Sequence, residues 1–423
     1  MKKNIILTLF TEFFVLASGL VVYKLVALAL GKDPFYEYAL VRRTVSFIQP
    51  ALLLGLSIAI PRYMSFSLKS ENPEKVDSFF AAGLFILLAA TLAFGILLLS
   101  FKNLFAYLFF GNSVYALFIL PLSLMLLGSV LHTAAYSYYR GRLLMGKANL
   151  LQFVNMALIP FGVFFLAKNS RQLFVLIGTA WTAVSAVFLI AILKNLSYER
   201  RDILPQAKKL LAYGLQRVLG DFGRAALLSL PATFTAHLSG IQKAGAVAFG
   251  ISLLNMVGSV FAPIGLILLP KASQLVAAKD LDTLKYYVRR ILAVTVLLTA
   301  AGILIFELFA GRILELYLGR SYSDLLAVTR IIMAGGLAYA VYVSLRSVID
   351  AFYVKAVNTL NIFIALVLFC GLSLGVILHF KNDLLIVVGF VLAVYILGVL
   401  TLRETLKILK SMETLSSGPQ TKN

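Results

Sequence analysis

The chain has 423 residues, 61% of them hydrophobic and only 13% charged, where soluble domains carry roughly 45–50% apolar residues. That composition excludes a soluble enzyme or binding domain, and a single cysteine, Cys370, excludes a disulfide framework and a thiolate metal site. The formal net charge of +20 is split among short loops between apolar stretches, so it reads as membrane topology rather than nucleic-acid binding.

Twelve segments are long and apolar enough to cross about 30 Å of hydrocarbon. In chain order they are predicted at 5–30, 38–60, 79–99, 115–137, 150–166, 173–193, 210–234, 244–269, 291–309, 326–348, 357–380 and 384–402. Met1-Lys2-Lys3 runs straight into the first of them without a short apolar core and a small-residue cleavage site, so no cleavable signal is expected. With the N-terminus in the cytoplasm, the inner loops hold Arg62, Lys69, Lys75, then Arg140, Arg142, Lys147, then Lys194, Arg200, Arg201, Lys208, Lys209, then Lys271, Lys279, Lys285, Arg289, Arg290. The outer loops offer mainly Lys32, Lys102, Lys168, Arg171, Lys243, Arg312, Arg320 and Lys381. That bias places a multi-pass protein in the cytoplasmic membrane with both termini inside. The tail, 411–423, is polar and expected to be disordered.

An internal repeat organises the spans. At an offset of about 208 positions, Ile60-Pro61-Arg62 matches Leu269-Pro270-Lys271, Gly111 and Ser113 match Gly319 and Ser321, Lys147-Ala148 matches Lys355-Ala356, and Glu12 falls on Asp221. Six spans separate equivalent positions, so the halves share one membrane orientation. The expected architecture is an all-α polytopic membrane protein with two pseudo-symmetric six-helix lobes, 1–200 and 201–410, around a central cavity. The lobe boundary is placed in the charged loop "SYERRDILPQAKK".

Charges inside the spans are the candidate site. Arg217, Asp221 and Arg224 are spaced i, i+4, i+7 and share one helical face. A charge at mid-membrane costs about 2.5–3.5 kcal/mol even on the lenient insertion scale, so this face looks into protein or water. An Arg217–Asp221 salt bridge is one reading of it, and that pairing leaves Arg224 over. Lys24 lies late in the first span, and Arg42, Ser46 and Gln49 repeat the i, i+4, i+7 stripe in the second. For Lys24 and one of Arg42 and Arg43, snorkelling to the interface is as good a reading as a cavity role. Arg346 and Asp350 can pair locally, Glu307 and Arg330 read as interfacial, and Glu12 lies well inside the first span beside Thr8 and Thr11. Lys24, Arg42, Arg217 and Arg224 lining one cavity would attract an anion.

The stretches "FGISLLNMVGSVFAPIGLILLPKASQLVAAKDLDTLKYYVRRILAVTVLL", "ILELYLGRSYSDLLAVTRIIMAGGLAY" and "GLSIAIPRYMSFSLKSENPEKVDSFF" resemble the polysaccharide-transporter branch of the multidrug/oligosaccharidyl-lipid/polysaccharide exporter superfamily. The resemblance covers essentially the whole chain through diffuse motifs. It implies a flippase for an undecaprenyl-diphosphate-linked oligosaccharide, working by alternating access, with a cationic lumen whose basic residues lie on the first, second and seventh or eighth helices. Lys24, Arg42, Arg217 and Arg224 fall on such helices and are the candidate diphosphate ligands. The superfamily's lipid II flippases carry about two further helices, which disfavours a peptidoglycan precursor. Gln49 and Asn255, with Asn155, Tyr136 and Tyr342, offer amides and aromatic faces for sugars, while Glu12 and Asp221 are the candidate coupling carboxylates. The partners implied are the lipid-linked oligosaccharide, membrane lipids and other polysaccharide-assembly membrane proteins, with no nucleic acid and no cofactor.

Two other classes compete. A multidrug or cation antiporter of the same superfamily would favour an acidic or apolar lumen, whereas here basic residues outnumber the acids Glu12 and Asp221. A membrane enzyme acting on the same lipid carrier finds a hint in Asp280-Leu281-Asp282, but Asp280, Asp282 and Thr283 more naturally cap the ninth helix. There is no HExxH or GxSxG motif, and His132, His237 and His379 are dispersed, so neither catalytic residues nor a metal site is expected.

Overall fold

The computed structural model describes residues 2–69, 75–277, 280–353 and 355–416. Among them the only regular structure is helical. The elements are α1 (Lys2–Leu25), α2 (Lys32–Leu53), α3 (Leu56–Lys69), α4 (Lys75–Ser100), α5 (Lys102–Phe110), α6 (Ile119–Gly141), α7 (Met145–Phe153), α8 (Ile159–Phe164) and α9 (Ser170–Leu193). They continue with α10 (Arg200–Ala277), α11 (Leu281–Leu318), α12 (Leu325–Ala334), α13 (Gly336–Phe352), α14 (Val357–Gly375) and α15 (Asp383–Ser416).

Nine helices among the described residues are long and apolar enough to cross a membrane, and two bent pairs raise the number to 11. One of the nine, the apolar Arg200–Phe261 stretch of α10, has 62 residues. At 1.5 Å per residue it would be about three membranes long. It is in fact two legs that fold at Gly240, where φ is 83° and ψ −179°. Counted as two, it completes the twelve segments that the apolar pattern predicts.

The second predicted span is broken rather than straight: α2 and α3 meet at 44°. Pro50 removes a backbone donor inside α2, and Leu54 and Gly55 both take positive φ, 49° and 70°. The tenth bends likewise by 41° between α12 and α13. The fifth is α7 and α8 joined by a π-helical turn, Val154–Leu158. A short helix missing from the apolar pattern, α5, ends at Gly111. The last helix continues to Ser416, into the segment expected as a tail, of which 417–423 lie outside the described residues, as does Lys279.

Backbone geometry carries the repeat independently of side chains. Gly31, between the first and second spans, has φ 97° and ψ −172°, almost the conformation of Gly240 between the seventh and eighth. Gly111 and Gly319, at the other repeat-related turn, both have positive φ.

The chain forms two compact units: Met1–Ala225 with Ser239–Gly245, and Ala226–Leu238 with Ala246–Asn423. The exchange at Ala225 falls inside α10, whereas the sequence points to the charged loop near 200, because from Arg200 that loop is already helical. In the first unit α6 lies along α9, and the buried apolar core includes Leu122, Leu126, Phe174 and Ile177. In the second, Leu284 and Val288 of α11, Leu345 and Val348 of α13 and Ile408 of α15 share one buried cluster. The start of α11 confirms the capping role of its acid: the Asp280 carboxylate accepts from the Thr283 amide at 3.1 Å.

Candidate functional site

Arginines inside the first unit are met by tyrosines one helical turn away. Arg42 donates from Nη1 to the Tyr38 hydroxyl at 3.3 Å, and its guanidinium carbon lies 5.5 Å from the ring centres of both Tyr38 and Tyr23. Tyr23 and Tyr38 are buried and packed edge to face, with ring centres 5.1 Å apart. That aromatic wall comes from two helices, α1 and α2, and turns Arg42 toward Gly19 of α1.

Arg217 behaves in the same way. Its Nη1 donates to the Tyr213 hydroxyl at 2.7 Å, and no carboxylate pairs with it among the described residues. The Arg217–Asp221 bridge open to the sequence is therefore not formed. Asp221 stays half-buried on the same helix. A second guanidinium, that of Arg62 on α3, sits 4.2 Å from the centre of the same Tyr213 ring. Arg62 and Arg217 are both exposed while Tyr213 is half-buried. Tyr63 meets Tyr213 edge-on with ring centres 6.0 Å apart and stacks on Phe79.

The helices carrying these groups touch through backbone. A Cβ on Gly55 would lie 2.8 Å from the Gly214 Cα, so the break between α2 and α3 is seated directly on the residue after Tyr213. Only glycine permits both the positive φ of 70° at position 55 and this approach.

A second polar feature leads from the interior of the first unit to Glu12, which is exposed. Gln152 donates from Nε2 to Glu12 Oε1 at 3.3 Å, and its Oε1 lies 2.9 Å from His132 Nε2. Asn155 Nδ2 lies 3.0 Å from His132 Nδ1 and donates to Ser185 Oγ at 2.8 Å. One tautomer satisfies every contact: Nε2 of His132 carries the proton and Nδ1 accepts. The bonds from Asn155 to His132, from His132 to Gln152 and from Gln152 to Glu12 then all run toward the Glu12 carboxylate. Asn155 lies in the π-helical turn, and other side chains bond to that turn's carbonyls. Trp181 Nε1 donates to the Asn155 carbonyl, and Ser18 Oγ donates to that of Ala157 at 2.7 Å. Tyr136 stacks on His132 with ring centres 5.7 Å apart.

The remaining predicted residues divide. Lys24 is half-buried in the last turn of α1. Gln49 and Arg224 are half-buried. Asn255 belongs to the second unit, where it accepts from the Tyr339 hydroxyl at 3.1 Å. Two of the suggested sugar ligands are buried: Asn155 is 0% and Tyr342 1% exposed. Glu307 and Arg330 form an ion pair at 2.9 Å. Asp350 accepts from Asn358 at 2.7 Å, a partner from the next helix instead of Arg346. Among the described residues no cluster of metal-ligating side chains occurs.

Arg62 escaped the sequence reading because it counts as a loop residue when the second span is drawn to end at 60. The Tyr-x-x-x-Arg spacing was a legible signal, recurring at 38/42, 136/140, 138/142, 213/217, 286/290 and 342/346.

The architecture has counterparts among solved structures. An inward-facing multidrug resistance MATE family transporter of the MOP superfamily aligns with a TM-score of 0.79 at 14% identity, over 98% of this chain and 100% of that one. Lipid II flippase MurJ, in an inward closed conformation, aligns at 0.75 and 16% identity, over 99% and 94%. This chain has the fold of those transporters. A MOP superfamily transporter from Pyrococcus furiosus, described by a binding pocket of reverse polarity, aligns at 0.66 and 14% identity, over 97% and 96%. No family model matches the sequence, and no curated protein matches it.

Proposed function

We propose that this chain translocates an undecaprenyl-diphosphate-linked oligosaccharide across the cytoplasmic membrane by alternating access, as a step of polysaccharide assembly. The observation that carries the reading is Arg217, a guanidinium on a membrane-crossing helix that is steered by a tyrosine and meets no carboxylate among the described residues. A salt-bridged arginine would have its charge already answered. This one has forked donors left for phosphate oxygens, which it can meet with bidentate, charge-assisted bonds. Arg42 and Arg224 add positive charge on the same unit, and the isoprenoid tail needs no protein site because it can stay in lipid. A cytoplasm-negative potential favours outward movement of the anion by about 2.3 kcal/mol per charge per 100 mV.

The test is translocation of a lipid-linked oligosaccharide in proteoliposomes. Arg217→Ala and Arg224→Ala are each expected to lower the rate by about ten- to a hundredfold, the worth of a charge-assisted hydrogen bond, at matched protein content. Arg217→Lys should recover part of it, since charge is kept and the fork is lost. Normal flipping by the double alanine variant would remove these residues from the site.

A cation exporter on the same fold is the second reading, favoured by Glu12 and the polar chain that ends on it. Under that reading a lipophilic quaternary ammonium dye, and not the anionic lipid, would be moved by the same proteoliposomes.

A further inference from the structure

Two like charges from separate segments of the chain converge on one uncharged side chain. Arg62 reaches Tyr213 from α3, and Arg217 reaches it from the first leg of α10. Neither has a carboxylate partner among the described residues, although each alone could have extended away along its own helix. Holding two guanidiniums on one ring costs mutual repulsion that the ring only partly offsets, and the cost disappears when an anion sits between them.

Rigidity favours the same conclusion. The Gly55–Gly214 backbone contact fixes α3 against α10, and Tyr63, stacked on Phe79, packs edge-on against Tyr213. The two arginines also lie at similar depth. Both meet the one Tyr213 ring, which sets them at one depth, and Arg62 is seven residues, about 10 Å at 1.5 Å per residue, from Lys69 at the end of α3. Arg42 belongs to the other half of its span, nearer the Gly31 turn.

We propose that Arg62 and Arg217, spaced by Tyr213, form a two-arginine clamp for the diphosphate of an isoprenoid-linked substrate, a loading station separate from Arg42. The proposal rests on the transport reading above and adds to it a residue, Arg62, and a position along the path. Arg62 and Arg217 bind oxygen on the two phosphates. Tyr213 is a positioning residue that holds both forks open.

Calorimetric titration of the purified full-length protein with farnesyl diphosphate and farnesyl monophosphate tests the clamp. The diphosphate should bind tighter than the monophosphate, and Arg62→Gln should weaken it by about tenfold and erase that preference. Arg62→Lys, which keeps charge and packing, should restore part of the affinity, and Tyr213→Phe should lower it while leaving both charges in place. The losses from Arg62→Gln and Arg217→Gln should fall short of multiplying in the double variant, because either arginine alone has lost its partner. Undiminished affinity in Arg62→Gln, or losses that simply multiply, would overturn the clamp. The two ideas fail separately. A protein that binds the diphosphate through both arginines yet moves no lipid-linked oligosaccharide retains the clamp and loses the flippase reading, while transport with an unchanged affinity in Arg62→Gln does the reverse.

Discussion

Glu12 differs from every other intramembrane carboxylate of the first unit in what it terminates. Asp221 lies between two arginines in sequence and forms no ion pair with Arg217, whereas Glu12 receives the last hydrogen bond of a chain running from Asn155 through His132 and Gln152. Adding a proton to the Glu12 oxygen that accepts from Gln152 would force that amide to turn, and the reversal can pass along the whole chain. We therefore expect Glu12 to couple transport to a proton or sodium gradient. In proteoliposomes, Glu12→Gln should retain binding of the diphosphate and lose the response of transport to an imposed gradient; an unchanged response to both ions would exclude it. His132→Gln, which cannot pass a proton between two ring nitrogens, should weaken a proton response without touching the arginines. The sequence marks Glu12 as unusual but cannot show this chain, since Gln152 lies 140 positions from Glu12 and an isolated Asn, Gln or His in an apolar span carries no directional signal.

At the scale of elements, the apolar pattern locates the spans and misses their bends. About twenty apolar residues are needed to cross hydrocarbon, so the segments stand out wherever helix and membrane thickness agree. The break after Leu53 depends instead on Leu54 entering the left-handed region, which no residue preference announces, and on Gly214 arriving from far along the chain to fill the space beside it. Tyr213 and Arg217 were legible as an i, i+4 pair; the approach of Arg62 was not, because it follows from that bend. Gly55→Ala should expose how much rests on the contact. A Cβ there combines a φ penalty of about 1–2 kcal/mol with collision against the Gly214 backbone, and overpacking adds about 1–3 kcal/mol. Thermal unfolding in detergent should shift down by several degrees. Farnesyl diphosphate affinity should fall too, because α3 can then no longer hold Arg62 over Tyr213. An alanine variant with the parent's melting temperature would show that the helices part without cost.

For the whole molecule, the repeat and the charge bias must agree with one topology. Gly31 and Gly240 share a backbone conformation although their neighbours differ, so both turns lie on one side of the membrane if the two halves have one orientation. The basic residues decide which side. Lys69, Lys75, Arg200, Lys208 and Lys209 crowd one set of loops, and the other set, with Lys32 and Lys168, is sparser, so the Gly31 and Gly240 turns are expected outside and both termini in the cytoplasm. The geometry limits the test usefully: Lys168 precedes the N-cap Asn169 of α9, and Arg200 opens α10 at the opposite end of the intervening span. Single cysteines placed at 168 and at 200 in a Cys370→Ala background should therefore give opposite results in intact cells. A membrane-impermeant maleimide should label position 168 readily, and position 200 only after the cells are opened. Labelling of 200 from outside would invert the protein, and with it the loading station: Arg62 and Arg217 would then lie near the outer leaflet, where a substrate carried outward would be released instead of captured.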